Sequence, residues 1–271
     1  MIEKYYDGAI EQVAAGLGTV EKNYLLVRYS GQFSVENLND TKQLEKNEDI
    51  FVQVHEFETG EITCAYEPYL TMICDGFRRY MTGTFEEFME TCDVYYLHRP
   101  VLLGYFNQDN TGREEIILLD EVAYEQERML AALERMLCAI ADRHPVLFVL
   151  NRFQLASKST IQLTARFLKC ENCNIGLVLG VSDIQAMPEF LVPDWEMLYE
   201  TLDDGSKIYH IGNSGRKKEE TIDDEKYVDY GSEKVYRKLQ NMVEFLDFDQ
   251  AAYYLETIER KIKFDNLLVD D

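Results

Sequence analysis

The stretch from Pro145 to Leu168, PVLFVLNRFQLASKSTIQLTARFL, constrains the fold of this chain more than any other. Its five-residue apolar run, Val146 to Leu150, reads as a strand buried on both faces. Ser157 then stands where a helix N-cap belongs, and Ile161, Ala165 and Leu168 follow at helical spacing. A second apolar run, Ile175 to Val181 (IGLVLGV), completes a β-α-β unit with parallel strands.

The alternation runs through most of the chain. A first helix, Glu3 to Leu17, places Ile10, Val13, Ala14 and Leu17 on one face and stops at Gly18, and Tyr24 to Tyr29 follows as an apolar strand. A polar helix from about Val35 to Lys46 leads to a strand at Ile50 to His55. Helical register returns at Glu67 to Met81 through Leu70, Ile73, Cys74 and Phe77, and Thr84 opens a shorter helix. From Val122 to Ala141, residues Met129, Leu130, Leu133, Met136, Leu137 and Ile140 form one apolar stripe, which Pro145 closes off. A weaker strand, Lys207 to Ile211, closes the sheet. Apolar strands alternating with amphipathic helices predict a three-layer α/β domain with a parallel sheet over residues 1–212.

Residues 213–231 break the pattern. They are rich in charge and poor in apolar side chains, as a solvated acidic linker is. Beyond them, Ser232 to Phe248 and Asp249 to Leu267 predict an antiparallel helical hairpin occupying residues 232–271, read as the start of tetratricopeptide-like repeats that continue past Asp271. One stripe is Val235, Leu239, Met242 and Phe245; the other is Ala252, Leu255, Ile258 and Ile262. Leu239, Met242, Leu255 and Ile258 are expected to face each other. Tyr236, Phe245, Tyr253 and Tyr254 are then left to meet a neighbouring repeat, the α/β core or a second copy of the chain as a homodimer.

With 50 acidic against 27 basic side chains the net charge is -23. Such a surface repels phosphate backbones and anionic lipid, so neither nucleic acid nor membrane is expected as a partner. The opening MIEKYYDGAIEQ lacks a basic segment followed by an apolar one, and no apolar run approaches the roughly 20 residues that span a bilayer, so a cytoplasmic location is expected. The six cysteines are expected as reduced, mostly buried thiols, with Cys170 and Cys173 a loop coincidence. His55, His98, His144 and His210 lie far apart in no metal-binding spacing, and Cys92 with His98 carries no nucleophile signature. No metal and no cofactor is expected.

The chemistry turns on two places. In a nucleotide hydrolase of this architecture the central strand ends in Asp or Glu, because a carboxylate must hold Mg²⁺ or orient the attacking water. Here it ends in Asn151 and Arg152. An amide brings no negative charge to a dication, and a guanidinium beside it repels the metal. A phosphate-binding loop after the first strand requires G-x-x-x-x-G-K-[ST]. The corresponding residues, Arg28 to Val35, put Phe33 in place of the second glycine, Ser34 in place of the lysine and Val35 in place of the hydroxyl. No catalytic residue is therefore assigned.

The run EVAYEQERMLAALERMLCAIADRHPVLFVLNRFQLASKSTIQLTARFLKCENCNIGLVLGVSD resembles the signal-transducing STAND ATPases of the AAA+ group, especially those that precede tetratricopeptide-type repeats. Phe153 to Ser157 stand on that family's turn after the central strand, Ser159 matches a serine usual at the next helix start, and Ala65 to Leu70 (AYEPYL) is similar to its proline-tyrosine segment. The resemblance implies an order in which the first and third strands flank the Ile175 strand. It also implies a remnant cleft lined by Ser30, Gly31, Gln32, Ser34, Asn151 and Arg152, with Arg28 and Arg152 the residues suited to hold an anion. The layout is similar to clostridial signalling proteins in which such a module and helical repeats precede a diguanylate cyclase. The expected function is thus an inactive sensory or scaffolding module, partnered by another protein or a downstream domain of the same polypeptide. The alternative is a divergent ATPase that holds nucleotide through backbone contacts.

Overall fold

The structure, a computed structural model, describes residues 2–17, 24–29, 49–58, 63–109, 121–170, 174–182, 188–202, 208–211 and 233–269. The predicted helix at Val35 to Lys46 and the acidic linker lie outside the described residues.

Five strands form one sheet: β1 (Tyr24–Tyr29), β2 (Phe51–Glu56), β3 (Val146–Asn151), β4 (Ile175–Ser182) and β5 (Ile208–Ile211). Their order is β2-β3-β4-β1-β5, and every pairing is parallel. The first and third strands flank β4, as expected. The registers Glu56↔Asn151 and Tyr29↔Ser182 bring the carboxyl ends of four strands to one edge.

Period-two alternation sorts the strand side chains into two cores. Leu25, Val27, Tyr29, Leu147, Val149 and Val178 pack with Ile10 and Val13 of α1 (Ile2–Gly16) on one face. Tyr24, Leu26, Val146, Phe148, Leu150, Leu177 and Leu179 face the larger core on the other. Gly176 in β4 lets α1 approach, since an added Cβ would lie 2.7 Å from Cγ1 of Val13.

The larger core is built by α2 (Tyr69–Tyr80), α3 (Phe85–Thr91), α4 (Arg99–Asn107), α5 (Val122–Arg143), α6 (Lys158–Lys169) and α7 (Val192–Thr201). The α5 stripe falls where its periodicity predicts, with Met129, Leu133, Met136, Leu137 and Ile140 at 0% exposure and Leu130 at 6%. At about 1.5–3 kcal/mol for each such side chain, this one stripe contributes on the order of 10 kcal/mol to the gross hydrophobic gain. Thr84 closes a capping box with Glu87 at the start of α3, and the Ser157 hydroxyl caps α6 by accepting from the Thr160 N–H. Helices α4 and α7 are additions to the sequence reading. Each carries Pro in its first turn, where a missing N–H costs nothing. Among the described residues no helix is long and apolar enough to cross a membrane.

The hairpin forms as α8 (Glu233–Glu244) and α9 (Phe248–Val269). Its seam differs from the expected one. Val235, Met242, Ala251, Tyr254 and Ile258 pack together with Leu239 against them, whereas Leu255 is 52% exposed and Ala252 points to solvent. Tyr254, expected outside, is buried inside the seam, and Ile262 lies beyond the described side chains. The turn sets the phase of α9. Leu246 adopts a left-handed φ of 65° and Asp247 is anchored to the α/β core, which rotates α9 by one residue and buries the larger tyrosine ring. Phe245 serves the expected outer contact, and its neighbour is the α/β core: its ring meets Tyr66 and Tyr105 edge-on, each at 6.0 Å.

Candidate functional site

The carboxyl edge of the sheet gathers polar side chains from elements far apart in sequence. The Tyr29 hydroxyl donates to Oδ1 of Asn151 at 2.6 Å. Because β4 lies between β1 and β3, the phenol spans two strand spacings, about 9.5 Å, to reach it. Asn151 is fully buried, and Tyr29 nearly so. Burial pushes the Tyr29 phenol up to about 12, against the opposing pull of the Arg152 charge, so the hydroxyl remains a neutral donor. Where a hydrolase would hold a carboxylate, this site holds a satisfied neutral pair.

Arg152 follows in the left-handed region at φ 55° and ψ 41°. A side chain at such angles costs about 1–2 kcal/mol, sustained here because the chain must leave β3 sharply to enter the turn before α6. Its Nε lies 3.3 Å from Oε1 of Glu56 at the end of β2. The guanidinium expected to suit an anion is thus already engaged by a carboxylate. Arg28 lies elsewhere. Strand alternation puts it on the sheet face opposite Tyr29 and Asn151, where its guanidinium stacks over Tyr199 of α7 at 4.8 Å. Gln154 completes the edge by accepting from the Ser182 N–H at 3.2 Å.

Of the predicted cleft residues, the structure thus brings Asn151 and Arg152 to the sheet edge. Ser30, Gly31, Gln32 and Ser34 lie outside the described residues. Sequence reasoning missed Tyr29, Glu56 and Gln154 as members of this edge. Their positions at strand ends were legible, but contact across 122 residues leaves no local signal.

A second polar cluster joins the hairpin to the core eight residues downstream of Asn151. Asp247, 3% exposed, accepts from the Ser159 hydroxyl at 2.6 Å and from the Ser159 N–H at 3.2 Å. The same hydroxyl accepts from the Tyr66 N–H at 3.0 Å. Ser159, the serine singled out at the start of α6, is therefore a structural hub joining the 66 loop, α6 and the hairpin turn. Lys158 pairs with Asp249 beside it, and Asn241 of α8 accepts from the Ala65 N–H at 2.9 Å. Burial raises the Asp247 carboxyl above its ordinary value, only partly offset by the Ser159 bonds.

The histidines and cysteines have packing roles at most positions. His98 is fully buried with Nε2 at 3.1 Å from Glu125, and His144 stacks on Tyr80 with ring centroids 4.2 Å apart. Burial pushes the Cys92 thiol up to about 11, which removes it as a nucleophile beside His98. Cys64, Cys74 and Cys92 form no disulfide, as expected, but Cys138 and Cys170 are disulfide-bonded. This corrects the expectation of uniformly reduced thiols. Two open cavities lie away from the sheet edge. One of about 470 Å³ separates α2 and α4 from α8, lined by Arg78, Asp75, Asp109, Arg237 and Glu244 among others. The second, about 480 Å³, runs between α5, α6 and α7.

No protein-family model matches the chain, and no curated protein is similar to it.

Proposed function

We propose that this chain is a catalytically inactive module descended from AAA+/STAND-type ATPases, acting as a sensory or scaffolding part of a larger bacterial signal-transduction protein with an output such as a diguanylate cyclase. The observation that carries the reading is the Tyr29–Asn151 hydrogen bond. At the end of the central strand, where phosphoryl transfer needs a carboxylate, a buried amide is already engaged by a neutral phenol. The order β2-β3-β4-β1-β5 supports the ancestry in that β1 and β3 flank β4, as the resemblance implies.

The mechanism is coupling through the turn. From Asn151 the chain passes through Arg152 and a single 3₁₀ turn, Phe153–Leu155, to Ser157 and Ser159, which hold the hairpin through Asp247. An occupant of the sheet edge that shifts this turn also shifts the hairpin, and any such occupant acts only through its differential affinity for the two arrangements. The test is calorimetry and turnover with ATP and Mg²⁺ on the purified chain. Neither binding heat nor phosphate release above a heat-inactivated control is expected. Stoichiometric, Mg²⁺-dependent release would overturn the reading, and binding heat without release would make the chain a divergent nucleotide binder.

A further inference from the structure

The cavity of about 470 Å³ between α2, α4 and α8 is lined at the same residue spacing on every wall. From α8 come Arg237, Gln240, Asn241 and Glu244, which at i, i+3, i+4 and i+7 form one helical face. Thr71, Asp75 and Arg78 of α2 keep the same register, as do Val101, Tyr105 and the C-cap residue Gln108 of α4. A face turned toward neighbouring helices is ordinarily apolar, as the face of α8 that carries Val235, Leu239 and Met242 is against α9. Here largely polar faces oppose one another across open space.

The lining side chains hold each other in place. Arg78 donates to Asp75 at 3.2 Å and to the Phe106 carbonyl at 2.7 Å, with its guanidinium over the Phe106 ring. Arg237 pairs with Glu233, Gln240 donates to Glu244 at 2.7 Å, and the Thr71 and Tyr105 hydroxyls lie 3.2 Å apart. Both guanidinium charges thus have a carboxylate already. Planar groups fixed in this way still carry donors and acceptors beyond those bonds, because a guanidinium has several N–H groups. The contacts to Glu244 and to the Ala65 N–H likewise use neither the Gln240 carbonyl nor the Asn241 amide nitrogen.

We propose that this cavity binds a neutral, hydroxyl-rich small molecule of the size of a monosaccharide or disaccharide. A hydroxyl both donates and accepts, so a polyol reproduces the hydrogen bonds that water makes with a lining of mixed donors and acceptors. An apolar ligand would leave those groups unpaired. An anion is opposed by the net charge of -23 and by Asp75, Asp109 and Glu244, and a cation by Arg78 and Arg237. Val101, Tyr105 and Phe245 supply apolar surface for the C–H face of a sugar ring. The volume falls within the range that holds small ligands. Because α8 is one wall and α2 and α4 are the others, an occupant adds hydrogen bonds between the hairpin and the α/β core. The inference rests on the cavity alone and is independent of the ATPase ancestry.

The experiment is saturation-transfer NMR on the full chain with D-glucose, D-galactose, N-acetyl-D-glucosamine and trehalose, and with glycylglycine as a zwitterionic comparison. At least one sugar should receive saturation, give a measurable Kd and slow hydrogen exchange in α8. In Gln240→Leu and in Gln108→Gly that Kd should rise at least about threefold, as the loss of one hydrogen bond requires. Gln108 has a left-handed φ of 57°, so glycine relieves the backbone there and keeps the fold. Should Gln240→Leu fail to fold, Gln108→Gly still decides. Saturation of no sugar, stronger saturation of glycylglycine than of every sugar, or a Kd unmoved in the folded cavity variants would each overturn the proposal. No nucleotide is present, so these outcomes are distinct from those of the ATP test.

Discussion

Replacing Asp247 by Asn and by Ala separates the two opposing contributions at the hairpin latch. Asp247→Ala removes the acceptor for the Ser159 hydroxyl and N–H, leaving two donors inside a buried site. Each such group costs about 1–3 kcal/mol, and removing the buried carboxylate recovers part of that, so a net loss of about 2–4 kcal/mol is expected. At roughly 2–4 °C per kcal/mol for a chain of this size, the melting temperature should fall by about 4–16 °C. Asp247→Asn keeps an acceptor oxygen and removes the charge. The Asp247 pKa is raised on folding by burial, so the folded state binds the proton more tightly than the unfolded chain. Its contribution to stability is therefore complete below the ordinary value of 3.8 and is lost as pH rises through the folded value. Asp194, also raised by burial, and Lys158 share the neighbourhood, so the useful quantity is the difference between Asp247→Asn and wild type, in which their direct effects largely cancel. Urea unfolding from about pH 4 to pH 8 should show this difference growing in favour of Asn as pH rises. A flat difference, or one that grows in favour of Asp, would refute the account of a desolvated carboxylate holding the hairpin.

Phe245→Ala empties a site filled edge-on against Tyr66 and Tyr105 and should cost about 3–5 kcal/mol, measured by urea unfolding; a loss under 1 kcal/mol would mean the hairpin does not share the core. Tyr29→Phe leaves the buried Asn151 oxygen without that donor and should cost about 1–3 kcal/mol, while creating no phosphate release. Arg152→Gly should be within about 1 kcal/mol of wild type in thermal unfolding, because relief of the left-handed backbone offsets the lost Glu56 pair, whereas Arg152→Ala should be less stable than Arg152→Gly. Gly176→Ala drives a methyl into Val13 and should cost about 1–3 kcal/mol, with hydrogen exchange rising in α1.

The strands, the long helix and the caps were legible because their causes are local. The α5 stripe follows from a 3.6-residue period, β1, β3 and β4 from largely apolar runs, and the ends of α3 and α6 from Thr84 and Ser157, whose side chains reach only their own first turn. Parallel pairing followed as well, since such runs must be covered on both faces. The loss of charge at the end of β3 was equally plain, because it is a matter of residue identity at Asn151.

What occupies the sheet edge was decided by tertiary structure alone. Tyr29 meets Asn151 across an intervening strand, Glu56 neutralises Arg152, and Arg28 turns to the other face under Tyr199, each across a separation no periodicity encodes. The hairpin shows the same division. Two amphipathic helices and their turn were read from the sequence, but with apolar residues on both sides of α9 the stripe expected to face α8 was set one residue off at Leu255. Anchoring Asp247 to Ser159 selected the phase that buries Tyr254 and exposes Leu255, because a buried carboxylate tolerates few positions while an exposed leucine costs little. Likewise, six scattered cysteines specify no bond, because a disulfide needs packing to bring its sulfur atoms together, and only the fold marked Cys138 and Cys170 as disulfide-bonded.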